Sequence, residues 1–273
     1  AAETEDLQQV ERISGKGDLT RKRTVRGEEV EPGDEPGLGV HLDVDESVCR
    51  RGRVLAIRGL TSDVEDDEGT VYHCATRRLL KTLSTDQRHV VAVGDRVLFR
   101  PVEGTAPPEG LIERVEPRRG TLSRTTRGRR QILVTNVDQL LIVSSAAEPR
   151  LKPNLIDRLL VAAEKGGVRP VICINKIDLV EPASLEPLVG VYAQMGYRVL
   201  LLSAKTGFGL ERFRRVLAGQ ESVVAGQSGV GKSTLLNGVE PGLARRVRPV
   251  SSDTEKGVHT TTTAELLPLS FGG

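Results

Sequence analysis

Gly226-Gln-Ser-Gly-Val-Gly-Lys-Ser-Thr234 lies between the apolar run Ser222–Ala225 and a segment with helical spacing, and this stretch decides the fold. It satisfies the pattern GxxxxGK[ST] in full, in the strand-then-helix context that separates true phosphate loops from chance matches. Glycines let successive backbone N–H groups converge on phosphate oxygens, and a helix starting at Lys232 adds the partial positive charge of its N-terminus. In such a loop Gly226, Gln227, Ser228, Gly229, Val230 and Gly231 wrap the phosphates. Lys232 neutralises the β- and γ-phosphates, the Ser233 hydroxyl completes a Mg²⁺ shell, and Thr234 closes the motif.

Upstream, two further loops follow apolar runs. Asn175-Lys-Ile-Asp178 follows VICI, at the strand end where open α/β sheets bind ligands. Guanine offers N1–H and N2–H₂ as adjacent donors, and one carboxylate, Asp178, accepts both; adenine has no such pair. Asn175 is read as orienting the loop and Lys176 as laying its stem along the base, with Ile177 a further residue of the same nucleotide-binding motif. Ser203-Ala-Lys205 follows RVLL, and its Ala204 amide is positioned to meet guanine O6. From Gln131 onward strands alternate with helices, which predicts a parallel sheet covered on both faces. The run ILVTNVDQLLIVSSA reads as one strand, and Leu155, Leu159 and Ala162 as the buried face of the helix after it.

Toward the N-terminus the pattern changes. Between Val48 and Pro117, short runs rich in β-branched residues are separated by Gly, Asp and Pro, which predicts about five strands in a small barrel of the OB type. Residues 1–47 lack apolar periodicity and carry 13 acids against 6 bases, so they are expected to be a charged, disordered tail. The expected division is therefore 1–47 tail, 48–117 barrel and 118–273 α/β domain. The body beyond residue 47 carries +9, although the whole chain is only +2.

Composition excludes several classes. With 38% apolar residues in 273, a sizeable core is affordable only through aliphatic packing, because aromatics make up 3%. No run reaches the roughly 18 apolar residues of a membrane span, and the charged N-terminus is unlike a signal peptide, so a cytoplasmic protein without a membrane partner is expected. Cys49, Cys74 and Cys173 are too widely spaced for a disulfide framework or a CxxC metal site.

The order of motifs is unusual: base-reading loops at 175–178 and 203–205 precede the phosphate loop at 226–234. That is a circularly permuted P-loop GTPase domain. Preceded by an OB-type barrel, it resembles the RsgA (YjeQ) family of small-subunit-dependent GTPases. The resemblance covers roughly Arg50 to Gly273 and includes RRLLKTLSTDQRHVVAVGDRV, NVDQLLIVSSA, NLIDRLLVAAE and KGVHTTT. It implies a monomer that binds the 30S subunit and its 16S rRNA and hydrolyses GTP to GDP during late subunit maturation. It also implies that His259 positions the attacking water and that one of Thr260, Thr261, Thr262 and Thr263 joins Ser233 on Mg²⁺.

The pattern departs from the family in two respects. No apolar strand ending in DxxG follows the phosphate loop; Asp34–Gly37 and Asp66–Gly69 match the string but read as turns. The family's zinc-binding module has no cysteine and histidine ligands in this chain. Both departures lead to the expectation of a truncated chain that binds nucleotide better than it hydrolyses it. The alternative reading is a nucleotide-responsive rRNA-binding module with little turnover. Seven arginines between Arg114 and Arg130 face a single acid, Glu116. Of these Arg118, Arg119, Arg124, Arg127, Arg129 and Arg130, with Arg77, Arg78 and Lys81 on the barrel, are candidates for phosphate-backbone contact.

Overall fold

The computed structural model describes residues 7–12, 22–29, 40–42, 44–77, 80, 90–126, 129–243 and 264–273, with side chains described from residue 44 onward except at 125, 126, 129 and 130. The chain forms two compact units. The first comprises residues 1–119 and 124–135, and the second 120–123 and 136–273.

In the first unit, Leu7–Arg12 (β1), Lys22–Glu29 (β2) and Val40–Leu42 (β3) form an antiparallel sheet, with Val10 opposite Thr24 and Gly27 opposite Leu42. The composition of residues 1–47 suggested no regular structure. Backbone pairing in a meander needs only register, which apolar periodicity does not report.

Arg50–Arg58 (β4), Thr61–Asp66 (β5), Val71–Thr76 (β6), Arg96–Val102 (β7) and Glu109–Val115 (β8) close into a barrel in the order β4-β5-β6-β8-β7. Only the β6–β8 pair is parallel, which gives the OB-type topology. The register of β4 shifts between Val54 and Ala56, a bulge that bends the strand so that it pairs with β5 along one part and β7 along another. Inward-facing Val54, Val64, Cys74, Val97, Phe99 and Ile112 fill the interior. Gly52 and Gly110 make room for Phe99: a Cβ on either would lie within 3 Å of its ring. The strand β5, Thr-Ser-Asp-Val-Glu-Asp, escaped the sequence reading because its three acids look like turn chemistry, although Asp63 and Asp66 are buried. The turn itself is real at 66–70, where Asp66 Oδ1 accepts from the Glu68 and Thr70 amides.

Leu122–Thr126 (β9) and Arg129–Val134 (β10) form a two-stranded ribbon. The run from Ile132 to Ala146 is therefore not one strand. It breaks at Asn136, which adopts φ +56, and resumes as Gln139–Ser145 (β11). The first unit thus extends to residue 135, beyond the change of sequence pattern near residue 117. Val93 bridges Val134 and the Thr135 amide donates to the Val93 carbonyl, so β10 is held by the barrel's own loop.

The second unit is the α/β domain. Its elements are β11, Pro153–Lys165 (α1), Arg169–Asn175 (β12), Glu186–Gln194 (α2), Arg198–Leu201 (β13), Leu210–Leu217 (α3), Ser222–Ala225 (β14) and Lys232–Val239 (α4). The four strands are all parallel in the order β13-β12-β11-β14. Every residue of β11 is buried, as expected of a strand covered on both faces. The face of α1 is rotated one residue from expectation: Ile156, Leu160 and Ala163 are buried, whereas Leu155, Leu159 and Ala162 are only partly covered. Both triplets have helical spacing, so periodicity alone could not choose between them. Residues 264–273 return to this core through Leu269 and Phe271.

Candidate functional site

Parallel strands bring all four C-terminal ends to one edge of the sheet, and each loop singled out in the sequence leaves from that edge. NKID follows β12, Ser203–Lys205 follows β13, and Gly226–Gly231 joins β14 to α4. A permuted chain order is thereby compatible with one assembled site.

Glycine is required at both ends of the phosphate loop. At Gly226 (φ +153) a Cβ would lie 2.0 Å from the Val143 carbonyl oxygen. At Gly231 (φ +93) it would lie 2.4 Å from Asn175 Nδ2. Val230 and Leu235 anchor the loop and helix in the core. The Lys232 ammonium donates to the Gly226 and Gln227 carbonyls, each at 2.9 Å, and burial lowers its pKa. Ser228, Gly229, Ser233 and Thr234 are exposed. An open loop of glycines, an ammonium held at its mouth and an exposed hydroxyl on the first turn of α4 suit a phosphate chain with its Mg²⁺.

Asn175 joins the loops. It is 1% exposed; its Nδ2 donates to the Val230 carbonyl at 2.9 Å, and its Oδ1 accepts from the Ala204 amide at 3.1 Å. The expected role of Asn175 as an orienting residue thus has definite partners, whereas the Ala204 amide is already engaged rather than free. Ser203 Oγ donates to Asp178 Oδ1 at 2.6 Å, and this bond, ahead of the nearby Lys205 and Lys176, holds the Asp178 carboxyl below the usual carboxylate value. Asp178 is exposed. Ile177 is buried and its amide donates to the Leu202 carbonyl, which ties the base-reading loop to β13. Lys176 adopts φ +62, a region that non-glycine residues rarely enter, and its Nζ donates to the Glu148 carbonyl. The Glu148 contact was not visible in the sequence, since a backbone carbonyl 28 residues away leaves no compositional trace. Lys205 is exposed beside this loop.

His259 and Thr260 to Thr263 lie outside the described residues, as do Arg78, Lys81 and Arg127. Two of the RNA-contact candidates are corrected. Arg118 is buried and grips Asp95 in two bonds, Nε to Oδ1 at 2.7 Å and Nη2 to Oδ2 at 2.8 Å, while Nη2 also reaches the Val90 carbonyl. Burial raises the Asp95 pKa, opposed by Arg118 and by the Ala92 amide. Arg77 is half of an ion pair with Glu113 at 3.0 Å and is 12% exposed. In both cases a buried acid requires the cation, a demand that a count of arginines does not reveal. Arg119 and Arg124 are exposed, and Arg129 and Arg130 begin β10.

Burial pushes the Cys74 and Cys173 thiols up to about 12, which leaves both as packing residues. Among the described residues no three His, Cys, Asp or Glu are grouped to hold a metal ion, and no helix is long and apolar enough to cross a membrane.

A family model described as RsgA GTPase matches residues 115–273. The chain is 44% identical over 235 residues to the small ribosomal subunit biogenesis GTPase RsgA of Sodalis glossinidius (strain morsitans), covering 82% of this chain and 65% of that protein. It is 39% identical to the protein of the same name from Chlorobaculum tepidum, over 81% of this chain and 74% of the relative. Among solved structures it resembles YjeQ from Thermotoga maritima, with a TM-score of 0.62 and 34% identity over 82% of this chain and 72% of the other. It also resembles YloQ, described as a circularly permuted GTPase, with a TM-score of 0.52 and 28% identity over 70% and 63%. The chain spans just under two thirds of the length of the Sodalis protein.

Proposed function

Because this chain belongs to the RsgA GTPase family, we propose that it is a cytoplasmic, monomeric protein that binds guanine nucleotide and hydrolyses GTP on the small ribosomal subunit during late maturation of that particle. One observation carries the nucleotide reading: Asn175 bonds the phosphate loop through Val230 and the SAK loop through Ala204, so phosphate-holding and base-reading segments form one unit. Asp178, steadied by Ser203, accepts from guanine N1–H and N2–H₂, and Lys176 covers the base with its stem. Lys232 releases its two loop carbonyls to meet the β- and γ-phosphates. Ser233 and one of Thr260 to Thr263 hold Mg²⁺, which when bound neutralises charge on the phosphate oxygens. His259 positions the water. The barrel, with Arg119, Arg124, Arg127, Arg129 and Arg130 and with Arg78 and Lys81, meets the backbone of 16S rRNA without reading its sequence.

The nucleotide reading is tested by displacing a fluorescent guanine nucleotide with GTP or ATP. GTP is expected to compete far better, and Asp178→Asn to weaken GTP by roughly tenfold to a hundredfold. Equal displacement by ATP would refute guanine selectivity. Phosphate release measured with and without 30S subunits tests the rest. Subunits are expected to accelerate it, whereas tight subunit binding without acceleration would favour a nucleotide-responsive RNA-binding module.

A further inference from the structure

Residues 146–149, the turn that leaves β11, touch both the base-reading loop and the phosphate loop. The Ala146 amide donates to the Asn175 carbonyl at 2.8 Å, and the Lys176 ammonium donates to the Glu148 carbonyl. On its other side, Pro149 Cδ lies 3.7 Å from the point where a side chain on Gly229 would begin. One short turn is thus bonded twice to the base-reading loop and lies against the phosphate loop.

Two strained residues meet in this contact. Among the described residues only three other than glycine have positive φ, namely Asn136, Glu148 at +51 and Lys176 at +62. Glu148 and Lys176 are the two ends of one hydrogen bond. Left-handed backbone is unfavourable for lysine and glutamate, and it persists where surrounding contacts over-determine it, as they do at ligand clamps. The bond uses the backbone of Glu148, so residue 148 supplies a conformation and not a carboxylate.

The same bond decides where a charge sits. Lys176 is two positions before Asp178, and its charge, behind the larger effect of the Ser203 bond and that of Lys205, helps hold the Asp178 carboxyl below the usual value. An ammonium released from Glu148 would be drawn onto that carboxylate, where it would compete with guanine N1–H and N2–H₂. Held on the carbonyl, it stays off Asp178.

We propose that Glu148 is a positioning residue of the nucleotide site, whose left-handed backbone presents the carbonyl that holds the Lys176 ammonium. That contact fixes the lysine stem over the base and leaves Asp178 open to guanine. The proposal rests on the two loops forming a guanine nucleotide site.

The test measures dissociation of fluorescent GDP from wild type, Glu148→Val, Lys176→Met and the double variant. Valine is β-branched and resists positive φ, so Glu148→Val is expected to speed dissociation about tenfold. Lys176→Met keeps an unbranched stem without the ammonium and is expected to have a similar effect. The double variant should be no faster than the faster single one, because both changes remove one contact. Asparagine enters the left-handed region readily, so Glu148→Asn should restore most of the slow rate. Should Glu148→Val fail to fold, Glu148→Gly replaces it. Glycine permits positive φ without enforcing it, so an acceleration of about threefold is expected with Lys176 present and none beside Lys176→Met. A turn that serves the fold alone would multiply the two effects in the double variant. That result, or an unchanged rate in Glu148→Val, overturns the positioning role and leaves the nucleotide reading standing. Failure of wild type to bind GDP overturns both.

Discussion

The barrel and the parallel sheet both bury polar side chains, but they use them differently. In the barrel Asp95 and Arg118 saturate each other, and Glu113 lies between Arg77 and Arg100, both 3.0 Å away. Arg58 and His73 share Asp63 at 2.5 and 2.8 Å. These groups are consumed by structure. In the sheet, buried Asn175 and Ser203 sit at strand ends and spend their bonds on loops, leaving Asp178 exposed and Lys232 half-buried against the carbonyls of the phosphate loop. A buried polar group within a closed barrel has only neighbouring strands to satisfy, whereas one at the end of a parallel strand reaches segments that no ladder holds.

The comparison is broken most severely by Arg118→Gln, which leaves Asp95 buried without its cation. A loss of about 3–5 kcal/mol in unfolding free energy is expected by denaturant titration, with guanine nucleotide affinity in the still-folded protein within twofold of wild type. A variant that lost nucleotide affinity but kept its stability would place this pair in the site rather than the scaffold. Asn175→Ala should do the reverse. Removing bonds to Val230 and Ala204 should weaken GTP binding roughly tenfold or more, by about 1.4–3 kcal/mol. Its effect on unfolding should be smaller than that of Arg118→Gln, and an equal effect would erase the distinction between the two regions.

The smallest effect is expected at Asp66 and appears only with pH. Burial works against its charge, but the Thr70 and Glu68 amides and the Arg50 guanidinium hold its pKa below 3.8. A carboxyl with a depressed folded-state pKa stabilises fully above its unfolded value and loses that contribution as pH falls through the folded value. Asp66→Asn should therefore flatten the decline in stability below about pH 4 and leave the neutral range little changed. A steeper acid decline in the variant would contradict this assignment of charge.

The site was more legible than the scaffold beneath it. GQSGVGKST, NKID and SAK are local strings whose chemistry depends on few neighbours, and all three lie at the predicted strand ends. Boundaries were less legible. The run through Thr135-Asn136 stays apolar across a sharp turn, so nothing in its pattern divides β10 from β11. The acidic strand β5 reads as a turn because its three acids are turn-forming residues, and the arginines that pair with buried Asp63 and Asp66 belong to the neighbouring strand β4.

By itself the sequence determined the α/β grammar, the permuted order of the nucleotide loops and the identity of the residues they present. These are properties of spacing and residue type within short windows. The tertiary structure alone decided which cations remain available. Arg118 and Arg77 are drawn inside by Asp95 and Glu113, whereas Arg150, Lys152 and Arg158 stay exposed along an open cleft. Charge acts through space, and its partners here lie up to 68 residues apart along the chain, as Arg114 and Glu46 do, a distance over which no sequence window reports contact.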